Sequence, residues 1–170
     1  MSFMPITVKA DSNSNEFNHS SRRLAARQFE ASYDRGAPRW LRRLRATREQ
    51  CLLALDSVRR EAPLRGQRDG GIQSVPIAQI QGSENRHCDY TPDFRPRQAH
   101  SRNRWISIAA ARLVGAELPP VALIQIGERY FVRDGHHRIS VARAQGQQDI
   151  DAEVIVWDVG GSTTHHGVDK

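Results

Sequence analysis

The sequence predicts an α+β domain with a small mixed sheet and packed helices, preceded by an N-terminal helical hairpin. Two observations carry this prediction. Helical periodicity dominates the chain up to residue 61, whereas short apolar runs typical of strands alternate with helical segments from residue 72 onward. The length of 170 residues suffices for one such domain with a real hydrophobic core and some peripheral structure.

The N-terminal part is predicted as a disordered tail followed by two helices. Residues 1–20 are polar and rich in Ser and Asn, which favours disorder. From residue 21 onward, apolar side chains recur four residues apart at Ala25, Phe29 and Tyr33. After a break near Pro38, a second apolar stripe follows, formed by Leu41, Leu44, Leu52, Leu55 and Val58. Residues 21–61 are therefore predicted to form a basic helical hairpin.

Residues 62–71 contain one proline and three glycines, and we predict a linker there. The main domain is then expected over residues 72–158, with a flexible tail over residues 159–170. Its predicted elements are a strand region at 72–80, a long polar loop at 82–96, a helix at 101–114, strands at 121–126 and 129–133, a helix at 136–145 and a last strand at 150–157.

Charge is distributed unevenly along the chain. Residues 21–69 hold 13 arginines and 6 acidic residues, a net charge of +7, whereas residues 70–158 hold 10 of each. The Arg-rich 21–68 segment is expected either to meet DNA or an acidic partner, or to be an ordinary solvated helix face. No DNA-reading motif is recognised in it.

Neither a membrane span nor a secretory signal is predicted from the sequence. No apolar run approaches the roughly 20 residues that a spanning helix needs, and the N-terminus lacks a basic start followed by an apolar stretch. The two cysteines, Cys51 and Cys88, form no CxxC pair. A reduced, cytoplasmic protein is the expectation, although two cysteines leave a disulfide open.

The string Asp134-Gly135-His136-His137-Arg138 lies between an apolar strand and a helix. Helix N-termini expose unpaired N–H groups and carry partial positive charge, so they bind anions. Gly135 would let a ligand approach the backbone, and Arg138 has a planar fork that suits phosphate. The basic side chains of His136, His137 and Arg138 oppose the helix dipole, a local conflict that is typical of functional sites. We therefore predict an anion site, for a nucleotide phosphate above all.

Several residues near this turn have more than one interpretation. Asp134 is either the N-cap of the helix or a functional group that orients a hydroxyl, holds Mg²⁺ or acts as a base. Adjacent histidines cannot share a helix face, and no third ligand lies at useful spacing, so no metal site is predicted. Ser140 is interpreted as a helix-surface residue rather than a nucleophile. Cys88 is interpreted as a plain loop cysteine, with a reactive thiol beside His87 as the alternative.

Residues 72–157 resemble the ParB/sulfiredoxin superfamily, often labelled the ParB-like nuclease domain. The resemblance covers about half of the chain and lies in VPIAQI, in a loop with Arg86, in LVGAELPPVALIQI, and in ERYFVRDGHHRISVARAQGQQDIDAEVIVW. The last block is similar to the family signature of strand, Gly-x-x-Arg, helix, Gly and strand. This resemblance implies an α+β fold in which the Gly135–Arg138 turn contacts nucleotide phosphates.

The resemblance also implies roles for individual residues. In ParB partition proteins the matching turn helps to bind CTP, and in sulfiredoxins the residue after the glycine is the catalytic cysteine. Here that residue is His136, so sulfiredoxin chemistry is not expected. The Asp-Gly-His-His-Arg string is most similar to free serine kinases, which implies catalytic roles for Asp134, His136 and a loop glutamate, Glu84, as base. The implied nucleotide ligands are Gly135, His136, His137, Arg138 and Arg86.

The sequence thus predicts a nucleotide-binding protein that uses ATP, ADP or CTP with Mg²⁺, and a small-molecule kinase of the serine type as its activity. Two alternatives stay open: a DNA-associated protein related to ParB nucleases or partition proteins, and a regulatory domain without catalysis. ParB partition proteins carry a helix-turn-helix region after this domain, and its absence from this sequence weakens the expectation of site-specific DNA binding.

Overall fold

The computed structural model describes residues 12–34 and 51–160. Its elements, in chain order, are α1 (Ser12–Ser32), β1 (Leu53–Ala54), α2 (Leu55–Glu61), β2 (Leu64–Pro76), a 3₁₀ turn (Ile77–Gln79), β3 (Ile80–Ser83), a second 3₁₀ turn (Ala99–Ser101), α3 (Arg102–Leu113), β4 (Val121–Ile126), β5 (Arg129–Asp134), α4 (His136–Ala144) and β6 (Asp149–Val159). The predicted helix start near Pro38 and the tail residues 161–170 lie outside the described ranges.

The strands form a mixed sheet of six strands in the order β1-β3-β5-β4-β6-β2. β3 is parallel to both β1 and β5, whereas β4 is antiparallel to β5 and parallel to β6. β2 pairs antiparallel with β6 along its whole length and is an edge strand. With the helices packed on this sheet, the predicted α+β fold is confirmed.

Three apolar clusters form the core. The first combines the sheet with the buried rings of Tyr90 and Phe94, the second joins α1, α3 and α4 around Trp105, and the third lies under α2 around Phe131. Val132 belongs to the first cluster and its neighbour Phe131 to the third. Because successive strand residues point to opposite faces, these two clusters lie on opposite sides of the sheet.

The predicted linker at residues 62–71 is wrong, because most of this segment belongs to β2. The register of β2 against β6 shifts between Asp69 and Gly71. Gly71 has a φ of 70°, a backbone conformation that would be strained in a residue with a side chain. The glycine therefore accommodates this shift in register. Most β2 side chains are exposed. Glycines at a bulge and polar side chains on an edge strand look like a linker in sequence.

The boundaries of the predicted disordered tail and helical hairpin also need correction. α1 begins at Ser12, so part of the segment predicted as disordered is helical. Within its described residues, the second arm of the hairpin contains a strand, β1, before the seven-residue helix α2. Leu53 and Ala54 pair with β3 at the edge of the sheet. The apolar stripe that was predicted as helical therefore passes through a strand before it reaches α2.

Candidate functional site

The turn at residues 134–138 lies at the edge of the sheet where β3 and β5 end and where β4 and β6 begin. This placement follows from the strand directions. β3 and β5 are parallel to each other, whereas β4 and β6 run in the opposite direction. α4 begins at His136, directly after β5 ends at Asp134. The first four N–H groups of a helix have no partner within the helix, and α4 begins at this edge of the sheet.

Gly135 is the N-cap residue of α4, and it adopts the left-handed conformation with φ 100° and ψ 16°. A Cβ at this position would lie 2.6 Å from Cγ1 of Val121. The glycine is therefore needed for the packing of the turn against β4, and a side chain rather than a ligand fills the adjacent space. No side chain caps this helix, so the N-cap interpretation of Asp134 is wrong.

Asp134 instead pairs with Arg138, with 2.6 Å between Oδ2 and one terminal nitrogen of the guanidinium. The other terminal nitrogen donates to the carbonyl oxygens of Pro119 and Pro120, at 2.6 and 2.7 Å. The Arg138 side chain is 15% exposed, whereas that of Asp134 is 76% exposed. Arg138 thus ties the segment before β4 to the turn, and protein acceptors occupy the fork that was expected to hold phosphate.

His136 is buried and hydrogen-bonded to a buried serine that the sequence did not single out. Its Nε2 lies 2.8 Å from Oγ of Ser83, and the same Oγ accepts the backbone N–H of Arg86 at 3.0 Å. Burial, followed by the nearby charge of Arg86, lowers the pKa of His136 to about 4. The imidazole is therefore neutral at pH 7 and acts as part of the packing of the turn.

His137 is buried as well, against the ring of Tyr90. The tyrosine hydroxyl lies 3.0 Å from Nδ1 of His137, and the tyrosine ring stacks on His136 with centroids 5.6 Å apart. Burial, followed by the charges of Arg86, Arg104 and His100, lowers the pKa of His137 to about 4. Burial also raises the pKa of the Tyr90 hydroxyl. The expected conflict between histidine cations and the helix dipole is thus absent from the folded protein at neutral pH.

Three basic side chains lie close enough to His137 to lower its pKa, and we call them the cationic face: Arg86, His100 and Arg104. Of the three, Arg86 also lowers the pKa of His136. Arg86 follows β3 and forms an ion pair with Asp89 at 2.8 Å. His100 and Arg104 are exposed at the start of α3, one helical turn apart. Neither residue was predicted as a ligand, although two basic residues four apart at a helix start are visible in the sequence.

Glu84 lies just beyond β3 and pairs with the end of β5. Its backbone N–H donates to the carbonyl oxygen of Val132 at 3.0 Å, and its Oε2 lies 3.5 Å from Nε of Arg133. Its side chain is 31% exposed. Among the described residues, the carboxylate of Glu84 pairs with Arg133. Glu84 therefore lies at the same sheet edge as the turn, and its carboxylate contacts Arg133 rather than the turn.

The two predictions for Ser140 and Cys88 are wrong. Ser140 is buried, and its Oγ accepts the indole N–H of Trp105 at 2.9 Å. Cys88 is bonded to Cys51 in a disulfide with a Cα–Cα distance of 4.8 Å. Tyr90 and Phe94, both in the loop that was thought too polar for the core, are almost fully buried.

The described residues contain no cluster of three or more His, Cys, Asp or Glu side chains suited to a metal ion. None of the helices in the same residues is long and apolar enough to cross a membrane.

No family model and no curated protein matches the chain. Among solved structures, sulfiredoxin from Arabidopsis thaliana is similar to it, with a TM-score of 0.34 and 18% sequence identity. The similarity covers 49% of this chain and 82% of that one. It concerns the fold alone.

Proposed function

We propose that this protein binds the phosphate groups of a nucleotide at the start of α4, against the cationic face. The observation that carries the proposal is the start of α4, which has no side-chain cap. Arg86 and Arg104 lie close enough to the buried His137 at this start for their charges to lower its pKa. Uncapped N–H groups and converging cations are the usual elements of a phosphate site.

The charge balance around the turn favours an anion as the ligand. Arg138 is neutralised by Asp134, and Arg86 by Asp89. Arg104, in contrast, has no carboxylate within 4.0 Å among the residues that the structure describes, and it is exposed. A phosphate would supply this missing negative charge. ATP, ADP and CTP all carry such groups, and their shared phosphate chemistry is what the proposal requires.

A kinase activity on a small hydroxyl compound is the finer part of the proposal. Glu84 and Asp134 are carboxylates at the same sheet edge, each with an exposed fraction that a substrate can reach. Mg²⁺ is commonly held by one or two carboxylates together with substrate phosphates, so these residues fit it without a dedicated protein cage. Glu84 is the candidate base for the hydroxyl, which requires that it exchange its contact with Arg133 for the substrate.

His136 has a supporting role in this proposal. A group that is 4% exposed, with a pKa of about 4, neither reaches a substrate nor holds a proton at neutral pH. Its hydrogen bond to Ser83 and its stacking on Tyr90 instead orient the loop that carries Arg86.

The binding proposal is tested by calorimetric titration with ATP, ADP and CTP, with and without Mg²⁺. Arg104→Gln is expected to weaken binding about tenfold or more, since hydrogen bonds to charged groups contribute roughly 1.5–3 kcal/mol. Arg102→Gln is the matched control, because Arg102 lies on the same helix but pairs with Glu30 of α1. Equal effects of both substitutions, or no binding at about millimolar nucleotide, would contradict the proposal.

The kinase proposal is tested by the release of ADP from ATP in the presence of free serine and other small hydroxyl compounds. Glu84→Gln is expected to lower turnover strongly while leaving the affinity for ATP measured without Mg²⁺ unchanged. Nucleotide binding without turnover on any hydroxyl compound would instead support the non-catalytic regulatory alternative.

A further inference from the structure

We propose that Cys51 and Cys88 form a thiol–disulfide exchange site whose redox state controls the loop at residues 84–97 and, through it, the anion site. The exchange and its effect on the loop stand on the structure alone. The effect on ligand binding rests on the proposed function.

The disulfide connects the loop to the segment that leads into β1. Cys51 is followed by Leu52, which is 3% exposed and belongs to the core. The backbone N–H of Leu52 donates to the carbonyl oxygen of His87 at 3.0 Å, directly beside Cys88. The covalent bond and this hydrogen bond therefore act together to hold the middle of the loop.

The same loop carries the residues that contact the histidine pair. Cys88 lies two positions after Arg86 and two positions before Tyr90. The Arg86 backbone N–H is bound by Ser83, and the Tyr90 ring and hydroxyl contact both histidines. Because Cys88 sits between these two anchors, breaking its bond releases the chain that positions one member of the cationic face.

The two sulfur atoms differ in a way that sets the direction of attack. Cys88 is exposed and Cys51 is half-buried, so an incoming thiolate reaches Sγ of Cys88 first. Sγ of Cys51 lies 3.7 Å from a terminal nitrogen of Arg97, so the departing thiolate forms beside a guanidinium, whose Nε also lies 3.5 Å from Oδ2 of Asp34.

The reductant is a small dithiol. One of its thiolates forms a mixed disulfide with Cys88 as the Cys51 thiolate leaves. The second thiolate of the dithiol then attacks the first dithiol sulfur, which is bonded to Cys88, and the Cys88 thiolate is released. The dithiol is oxidised by two electrons to a cyclic disulfide, and the protein gains two thiols.

Reduction is expected to weaken ATP binding about tenfold, a magnitude common for coupling between two sites in one protein. Linkage makes the effect reciprocal, so saturating ATP should make the disulfide harder to reduce. A tenfold coupling corresponds to a reduction potential lowered by about 30 mV for this two-electron couple.

The experiment uses the full chain in dithiol buffers of graded ratio, with trapping of free thiols by alkylation and mass measurement. Hydrogen exchange of residues 84–97 is followed in the oxidised and reduced protein, and ATP affinity is measured on both. Cys51→Ser and Cys88→Ser should each behave as the reduced protein and ignore the dithiol. Arg97→Gln should slow the reduction, because it removes the charge beside the leaving sulfur.

Faster exchange of residues 84–97 on reduction, reproduced by both serine variants, supports the switch. A disulfide that the dithiol cannot open without denaturing the protein overturns it, as does reduction that leaves exchange in the loop unchanged. If neither state binds ATP but the loop still responds, the proposed function fails while the switch stands. If ATP binds equally to the oxidised and the reduced protein, the link between the disulfide and ATP binding is refuted.

Discussion

Acidification should destabilise this fold because of the two buried histidines of the turn. His136 and His137 each have a folded pKa of about 4, mainly through burial and secondarily through the charge of Arg86. In the unfolded chain a histidine titrates near 6.5. As pH falls below this value, the unfolded chain binds protons that the folded protein does not. Stability is therefore lost from about pH 6.5 down to about pH 4, and these two groups contribute no further loss below that range.

The magnitude follows from the two pKa values. Between about pH 7 and about pH 5, one such histidine lowers the free energy of unfolding by about 2 kcal/mol, so the pair contributes about 4 kcal/mol if they act independently. Total stabilities of small domains are roughly 5–15 kcal/mol. The loss is thus large enough to shift a urea midpoint visibly before most carboxylates begin to titrate.

The assay is urea unfolding at several pH values for the wild type, His136→Gln and His137→Gln. Glutamine keeps a polar group near Ser83 or Tyr90 but does not titrate in this range. Between about pH 7 and about pH 5, the free energy of unfolding of each variant should fall by about 2 kcal/mol less than that of the wild type. Contributions from carboxylates cancel in this difference. A wild-type stability that does not change over this range would refute the reasoning, as would variants that fall as steeply as the wild type.

Three further substitutions test the packing, each by urea unfolding at neutral pH. Gly135→Ala should cost about 2–5 kcal/mol, from a positive φ and from a Cβ placed 2.6 Å from Val121; a cost below about 1 kcal/mol would contradict the described turn. Ser140→Ala should cost about 1–3 kcal/mol, because the buried Trp105 N–H loses its acceptor; an unchanged stability would mean that water replaces it. Cys51→Ser should cost about 4 kcal/mol, since the cross-link joins residues 37 apart in sequence; equal stabilities of wild type and variant under reducing conditions are the control.

The elements around the turn could be predicted from sequence because each has a local signal. β4 is found at the predicted residues Val121–Ile126, and α3 at Arg102–Leu113, within one residue of the prediction at each end. These segments combine strong periodicity with clear punctuation by proline and glycine. α4 and β6 have the same properties, and their predicted ranges also agree within two residues.

The misassigned segments depend on contacts between residues far apart in the chain. β2 has no apolar alternation, and it is a strand because β6 extends along it. The loop at residues 84–97 looks polar, yet Tyr90 is buried because two histidines of α4 bind and stack on it. The disulfide between Cys51 and Cys88 likewise joins segments whose proximity depends on the pairing of β1 with β3.

The same reason explains why the turn could be located from the sequence, whereas the contacts of its side chains could not. A helix start after a strand is a local feature, so the position of the turn could be read from the string at residues 134–138. Which cations face a ligand depends on neighbours in space. Arg138 is next to the helix start in sequence but donates to Pro119, Pro120 and Asp134, whereas Arg104 is distant in sequence and has its charge free of such partners among the described residues. Comparing Arg104→Gln with Arg138→Gln therefore separates the two interpretations: the first should act on nucleotide affinity, and the second on the stability of the fold.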